Sequence, residues 1–348
     1  MRPRPCNRRP GANNRGATLK TLILTLLVLL APLGAQAACV GRNLLDSLSA
    51  PERQSIDAAV AAQPFPSGNH WRATRGDSVI DVFGTFHLYD PRMEDVMKRI
   101  APFFETADAV YLEATTTEIE RLQAETSRDP TLIFIPNGTP TLPERLPEAD
   151  WQALKAELTA RGLPPFIASK FRAWYVMILL GMPPCAMPDL ATASNGLDKL
   201  IETRARAAGV DVRPLEAYDT LFRIFGALTP EDEIGLLRAT LATTHLSEDM
   251  FFTLGDTYFS GDHRLIWELS AHLMQQVPGM SDAAAQEDIA VMEDLLLTRR
   301  NRAWLDVILP AAEGRRIAVA VGAAHLSGHA GVLNLLAEAG FTLEPAPF

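Results

Sequence analysis

Two apolar runs at opposite ends of the chain have the length of buried strands, and each ends in Gly-x-x-His. Residues 78–83 lead to Gly84 and His87, and residues 317–321 lead to Gly322 and His325. A helical pattern follows each motif. Because open α/β sheets build their sites at the carboxyl ends of strands, the two histidines are predicted to share one rim if both strands lie in one sheet.

The rest of the hydrophobic pattern predicts an α/β (α+β) fold. A helix from Pro91 and a strand over 109–112 follow the first motif, which gives a strand–helix–strand unit. Residues 229–309 have apolar positions at helical spacing almost throughout. We therefore expect a mixed central sheet with strand–GxxH–helix–strand units at both ends and a large helical insertion. Further helices are predicted over 44–62, 150–181 and 196–208, and further strands over 210–213 and 341–344.

The N-terminus has the pattern of a secretory signal peptide. Basic residues precede the apolar run 21–30, and Ala35-Gln36-Ala37 resembles a cleavage site. Residues 1–37 are therefore predicted to be removed, leaving a mature domain over 38–348 that is periplasmic or secreted. A membrane anchor and a lipoprotein attached at Cys39 are the alternatives. The run is short for a membrane span, and Gln36 does not suit lipid attachment.

Charge and cysteine content narrow the class of protein. Residues 1–37 carry six positive charges and no negative ones, so their removal takes the formal net charge from −10 to −16. A domain this acidic is not expected to bind nucleic acid. No other segment is apolar and long enough to predict stable membrane insertion after cleavage.

Cys39 and Cys185 are predicted to form a disulfide, the alternative being two small buried hydrophobic residues.

Two glutamates join the two histidines as candidate site residues. Glu113 and Glu216 each follow an apolar strand, which directs them to the rim where His87 and His325 are expected. Two imidazoles with one or two carboxylates suit a divalent metal ion that activates water, with a spare carboxylate as general base. The ordinary alternatives are structural histidines and glutamates at exposed strand ends or helix caps.

Arg300 and Asn301 are two further candidates, between an apolar helix and Trp304. Their side chains could hold a ligating carboxylate in place or stabilise an anionic intermediate. The alternative is a solvated basic patch. Nucleophile motifs with serine or cysteine, phosphate-binding loops and dinucleotide-binding glycine patterns were not found.

Taken in order, these pieces resemble the TraB/GumN family, which is related to the Tiki proteases and more distantly to erythromycin esterases. The resemblance covers about residues 70–345 and includes all four candidate histidines and glutamates. It implies an α/β fold in which these four residues face one site. Its motifs are Phe83-Gly84-Thr85-Phe86-His87-Leu88, Leu112-Glu113, Gly196-Leu197-Asp198, Leu215-Glu216, Arg300-Asn301-Arg302-Ala303-Trp304 and Val321-Gly322-Ala323-Ala324-His325-Leu326-Ser327-Gly328.

For Tiki-like relatives the resemblance implies metal-dependent peptide hydrolysis, and for TraB-like relatives the shutdown of a peptide signal by cleavage or sequestration. Our first hypothesis is an exported metal-dependent hydrolase of peptides that uses Mn²⁺, Co²⁺ or Zn²⁺. The second is a protein that sequesters a peptide or small ligand without cleaving it. The third is a metal-free esterase that acts through histidine and glutamate.

Overall fold

The computed structural model describes residues 39–188, 196–277 and 279–348 of the chain, and the predicted signal peptide lies outside these ranges. A six-stranded mixed sheet has the order β4-β3-β5-β2-β1-β6. The four strands β4, β3, β5 and β2 are mutually parallel, whereas β1 is antiparallel to both of its neighbours. The strands are β1 His70–Arg75, β2 Ser78–Thr85, β3 Ala109–Leu112, β4 Val212–Pro214, β5 Arg316–Gly322 and β6 Thr342–Pro345.

Helices make up most of the remaining described chain. They are α1 Ala50–Ala61, α2 Met93–Glu105, α3 Thr116–Arg128, α4 Leu142–Arg145, α5 Glu148–Ala160, α6 Pro165–Ala168, α7 Ala173–Leu180, α8 Leu197–Ala207, α9 Thr220–Gly226, α10 Pro230–Thr243, α11 Ser247–Ser260, α12 His263–Gln275, α13 Asp282–Glu293, α14 Arg299–Ala312 and α15 Val332–Glu338. A π-helical turn, Asp294–Thr298, joins α13 to α14, and a 3₁₀ turn, Ala323–His325, follows β5. The predicted mixed α/β fold is confirmed.

Helices cover both faces of the sheet because successive strand residues point to opposite sides. Ile317 and Val319 of β5 pack with α14 and α15, whereas Ala318 and Ala320 pack with α2 and α8. Both sets of side chains are fully buried. A parallel strand covered on both faces is expected to be apolar without alternation, and this accounts for the continuous run that predicted β5.

A further hydrophobic cluster lies among helices that follow strand β3 and the edge strand β4. Helices α4 to α7 come after β3, and α9 and α10 come after β4; together they bury Trp174 against Phe225, with stacked rings 5.3 Å apart. We call these six helices the helical lobe. Within 229–309 the chain forms α10 to α13 and most of α14, and α14 packs directly on the sheet through Trp304 and Ile308.

The sequence pattern did not predict strand β1. Only His70 and Ala73 of its six residues are buried, so it shows no clear alternation. Its place between β2 and β6 depends on charge pairing instead. Asp81 of β2 is fully buried and accepts hydrogen bonds from Arg72 of β1 at 2.8 and 3.1 Å and from Arg316 of β5 at 3.2 Å. A buried carboxylate needs such partners, and here two arginines supply them.

The predicted disulfide between Cys39 and Cys185 is present, with Cα atoms 5.2 Å apart. It links the first described residue to the segment after α7 and closes a loop with a sequence separation of 146. No helix within the described ranges is long and apolar enough to cross a membrane.

Reduction of this disulfide should lower stability measurably. We expect the double variant Cys39→Ser/Cys185→Ser to lose about 2–5 kcal/mol of unfolding free energy, because the unfolded chain regains the freedom of a long loop. Urea unfolding with and without reductant measures this, and the double variant serves as the control that no longer responds to reductant. Thiol titration of the unfolded, unreduced mature chain, residues 38–348, should find no free thiol. Free thiols would contradict the pairing.

Candidate functional site

Four adjacent parallel strands each deliver one of the four candidate residues to the same edge of the sheet. Across the sheet, Glu216 follows β4, Glu113 follows β3, His325 follows β5 and His87 follows β2. The carboxyl ends of parallel strands meet at one edge, and each residue lies within three positions of its strand end. Residues some 240 positions apart in the chain thus become neighbours, as the sequence predicts.

Arg300 of α14 binds both glutamates. Its Nη2 donates hydrogen bonds of 2.7 Å to Glu113 Oε2 and to Glu216 Oε1, and its Nε donates one of 2.9 Å to Glu216 Oε2. The pair with Glu216 is bidentate, which is the strongest geometry between arginine and a carboxylate. Burial would lower the pKa of Arg300, but the carboxylates outweigh this and raise it. The guanidinium is therefore a fixed positive charge inside the rim.

Trp304, one helical turn after Arg300, completes the environment of Glu216. Its Nε1 donates a hydrogen bond of 3.1 Å to Glu216 Oε2, so both oxygens of this carboxylate are engaged. The same indole ring lies 4.9 Å from the Arg300 guanidinium and 4.4 Å from the His325 ring. Trp304 thereby packs against the guanidinium and imidazole while it hydrogen-bonds the carboxylate.

Asn301 fixes the tautomer of His325. The Asn301 Nδ2 donates to the carbonyl oxygens of Ala330 at 2.8 Å and His325 at 3.3 Å, so its Oδ1 must be the atom that faces His325 Nδ1 at 2.6 Å. The network therefore assigns the proton to Nδ1 and leaves a lone pair on Nε2. Burial lowers the pKa of His325 to about 3, which keeps the imidazole neutral at physiological pH. Arg300 Nη1 lies 3.2 Å from this Nε2.

His87 is in a different environment from His325. Its side chain is 63% exposed, and its Nδ1 lies 2.9 Å from Asp198 Oδ2. The charge of Asp198 raises the pKa of His87, although water screens a pair that is this exposed. The rim thus has a buried end at Arg300 and Glu216 and a solvent-accessible end at His87.

Gly322 leaves a small space at the centre of the cluster. A Cβ atom at this position would lie 3.1 Å from both Glu113 Oε1 and His87 Nε2, and 3.6 Å from His325 Cδ2. The Gly322 amide also donates a 2.5 Å hydrogen bond to Glu113 Oε1. Burial would raise the pKa of Glu113, but the positive charges of His87 and Arg300 and the hydrogen bond from the Gly322 amide outweigh this and lower it to about 2. Glu113 is therefore ionised at the edge of the space.

The side chains around Gly322 suit a divalent metal ion in donor type. His87 Nε2, His325 Nε2 and Glu113 Oε1 are two imidazole nitrogens and one carboxylate oxygen, the set that zinc and related ions prefer. His325 Nε2 lies 3.7 Å from Glu113 Oε1, and ligands of a tetrahedral ion lie about 3.3 Å apart for bonds of roughly 2.0–2.1 Å. Within the described ranges, no three His, Cys, Asp or Glu side chains already form a ready-made metal cluster.

Position on the sheet, rather than cavity size, identifies this site. A groove of about 620 Å³ lies between α2 and α8, but its lining contains none of the four strand-end residues.

Several residues in contact with the site were not singled out from the sequence. Tyr258 of α11 donates a 3.0 Å hydrogen bond to the Gly84 carbonyl, and Thr85 donates one to Asp198. No spacing in the sequence connects Tyr258 with the first Gly-x-x-His motif.

These observations define a mixed α/β protein that brings two histidines, two glutamates and one arginine together where four parallel strands end. The sequence pattern of the TraB/PrgY/gumN family matches residues 69–345, which is well over half of the chain. The chain therefore belongs to the TraB/PrgY/gumN family. A comparison with curated proteins found no match to this chain.

The adjacent residues Arg299 and Arg300 provide a test of the buried charge cluster. We expect Arg300→Met to lower the unfolding free energy by about 3–5 kcal/mol, because it leaves two buried carboxylates without their counter-charge. Arg299→Met should cost under about 1 kcal/mol, since Arg299 is exposed and pairs only with Asp294. Arg300→Lys should fall between them because lysine cannot reproduce the bidentate contact. Equal costs at 299 and 300 in chemical denaturation would contradict this picture.

Proposed function

We propose that this protein is an exported metal-dependent hydrolase whose substrates are peptides. The observation that carries the proposal is the convergence of His87, His325 and Glu113 around the Gly322 backbone. A side chain at position 322 would fill the space between Glu113 Oε1 and His87 Nε2. The family membership agrees with a shared site but does not itself specify a reaction.

In this proposal His87, His325 and Glu113 would hold the ion, and the chemistry that the ion would supply is a bound water of lowered pKa. Glu216 is assigned to Arg300 rather than to the ion, because both of its oxygens already accept hydrogen bonds. Arg300 makes five hydrogen bonds, and only one of them uses the His325 lone pair. It can release this contact and remain held by both glutamates and by Leu296.

Arg300 and Glu113 are also positioned for the chemistry of hydrolysis. A fixed guanidinium beside the site stabilises the negative charge that develops on a tetrahedral intermediate. Glu113 Oε2 is bound to Arg300 while Oε1 faces the space at Gly322, so one carboxylate could orient water as well as bind the ion. Asn301 holds the neutral tautomer of His325, which is the form that a metal ligand requires.

Export is the second part of the proposal. The Cys39–Cys185 disulfide is a bond that persists in oxidising compartments and is rare in the cytosol. The basic and apolar segment over residues 1–37 supports the same assignment. We therefore propose that the protein acts in the periplasm or outside the cell.

A sequestering protein of the same fold is the alternative, and one observation favours it. Arg300 Nη1 contacts Nε2, the unprotonated nitrogen of His325. Both ring nitrogens of His325 therefore have hydrogen-bond partners without an ion. A protein that binds an anionic group through Arg300 would not need a metal. Metal analysis and digestion of a peptide library separate the two functions.

Metal analysis of the purified protein, followed by digestion of a peptide library with Mn²⁺, Co²⁺ or Zn²⁺ added, tests the proposal. We expect bound metal and cleavage, and we expect chelation or Glu113→Gln to abolish turnover. Glu120→Gln, an exposed glutamate on α3, is the matched control and should retain activity. Unchanged turnover after exhaustive chelation would contradict the metal, and peptide binding without cleavage would favour sequestration.

The glycines of the two Gly-x-x-His motifs should respond differently to alanine. Gly322→Ala places a methyl group between Glu113 and His87, so we expect metal retention to be lost with little change in stability. Gly84→Ala instead meets Leu326 Cδ1 at 2.8 Å and Ala323 Cβ at 3.1 Å, which should cost about 1–3 kcal/mol through overpacking. Thermal unfolding and metal content of both variants measure this. Full metal retention by Gly322→Ala would remove the central space from the proposed site.

A further inference from the structure

The start of α8 is built against the backbone of the first Gly-x-x-His motif. Leu197 donates a 2.9 Å backbone hydrogen bond to the Phe86 carbonyl. A Cβ atom at Gly196 would overlap the His87 carbonyl group and lie 2.8 Å from the His87 Cα. Only glycine permits this approach, although Gly196 has an ordinary extended backbone. The segment 196–198 therefore packs directly on the residue that carries the exposed imidazole.

Asp198 uses both of its carboxylate oxygens on this motif. Oδ2 lies 2.9 Å from His87 Nδ1, and Oδ1 accepts a hydrogen bond from Thr85 Oγ1. Thr85 is the last residue of β2 and is buried, so it holds the carboxylate relative to the sheet. With Nδ1 engaged by Asp198, the opposite nitrogen Nε2 faces Gly322, where an added Cβ would lie 3.1 Å from it.

A second contact of α8 braces the chain that follows strand β3. Glu202, which is buried one turn after Asp198, accepts hydrogen bonds from the Thr116 backbone amide and hydroxyl. Thr116 begins α3, three residues after Glu113. One helix thus holds both the His87 turn and the chain that leaves Glu113.

The two histidines need different means of orientation. His325 is buried, packs against Trp304 with ring centroids 4.4 Å apart and is held by Asn301. His87 is 63% exposed and lacks comparable packing, so its rotamers would be free without a polar partner. The Asp198 carboxylate is the group that makes this contact.

We propose that Asp198 is a positioning residue that fixes the tautomer and rotamer of His87, so that Nε2 points into the space at Gly322. The segment Gly196-Leu197-Asp198 then orients His87 as Asn301 orients His325. This inference depends on the proposed function for the identity of the ligand, but the orientation of His87 can be measured without any ligand.

The first test is the dissociation constant for Zn²⁺ of the full protein, measured by competition with a chromogenic chelator. Loss of an outer partner of a ligating histidine typically weakens metal affinity about 10- to 100-fold, and we expect this for Asp198→Ala. Asp198→Asn keeps an acceptor oxygen and should lose less. Asp95→Asn is the matched control, since Asp95 is also an aspartate in the first turn of a helix but is exposed and pairs with Lys98.

The second test is the nitrogen NMR spectrum of the histidine side chains in the metal-free protein. We expect the wild type and Asp95→Asn to show a protected, hydrogen-bonded Nδ1 proton on His87, and Asp198→Ala to lose it while its thermal unfolding stays cooperative. If wild-type protein fails to bind Zn²⁺ but the NMR difference appears, the positioning role stands and the metal proposal falls. An unchanged His87 signal in Asp198→Ala would overturn the inference.

Discussion

The Arg300 guanidinium is the charge on which the whole rim depends. Glu113 and Glu216 follow adjacent strands, and their side chains are only 13% and 12% exposed. Two carboxylates this close and this poorly solvated would repel each other and take up a proton. The guanidinium between them removes that repulsion and joins α14 to β3 and β4. Breaking it would disturb sheet, helix and site together.

Once this charge is in place, each remaining side chain in the rim has a defined neighbour. Trp304 packs on the guanidinium and the His325 ring, and Asn301 sets the His325 proton. The result is a graded environment. His325 is buried and neutral, His87 is exposed and bound to Asp198, and Glu113, which contacts His325, is ionised. Two histidines from similar motifs thus acquire different electrostatic properties because only one is covered by a helix.

The strand-end residues could be predicted because their signal is local. An apolar run followed by Gly-x-x-His or by Glu specifies both a strand and the direction in which its last residues point. Strand β1 lacked this signal, because its place depends on a buried ion pair between Arg72 and Asp81. The contacts of Asp198 and Tyr258 were not predicted either, because both residues lie in helices and do not follow an apolar strand. Such contacts are decided by packing in three dimensions, which spacing along the chain does not encode.

We propose that strand ends distant in sequence form one ligand-binding centre at Gly322. Anomalous diffraction from crystals grown with Zn²⁺, recorded above and below the zinc absorption edge, tests it most directly. The account predicts a peak about 2.0–2.2 Å from His87 Nε2, His325 Nε2 and a Glu113 oxygen. Zinc bound elsewhere on the molecule, with Arg300 still hydrogen-bonded to His325, would contradict it.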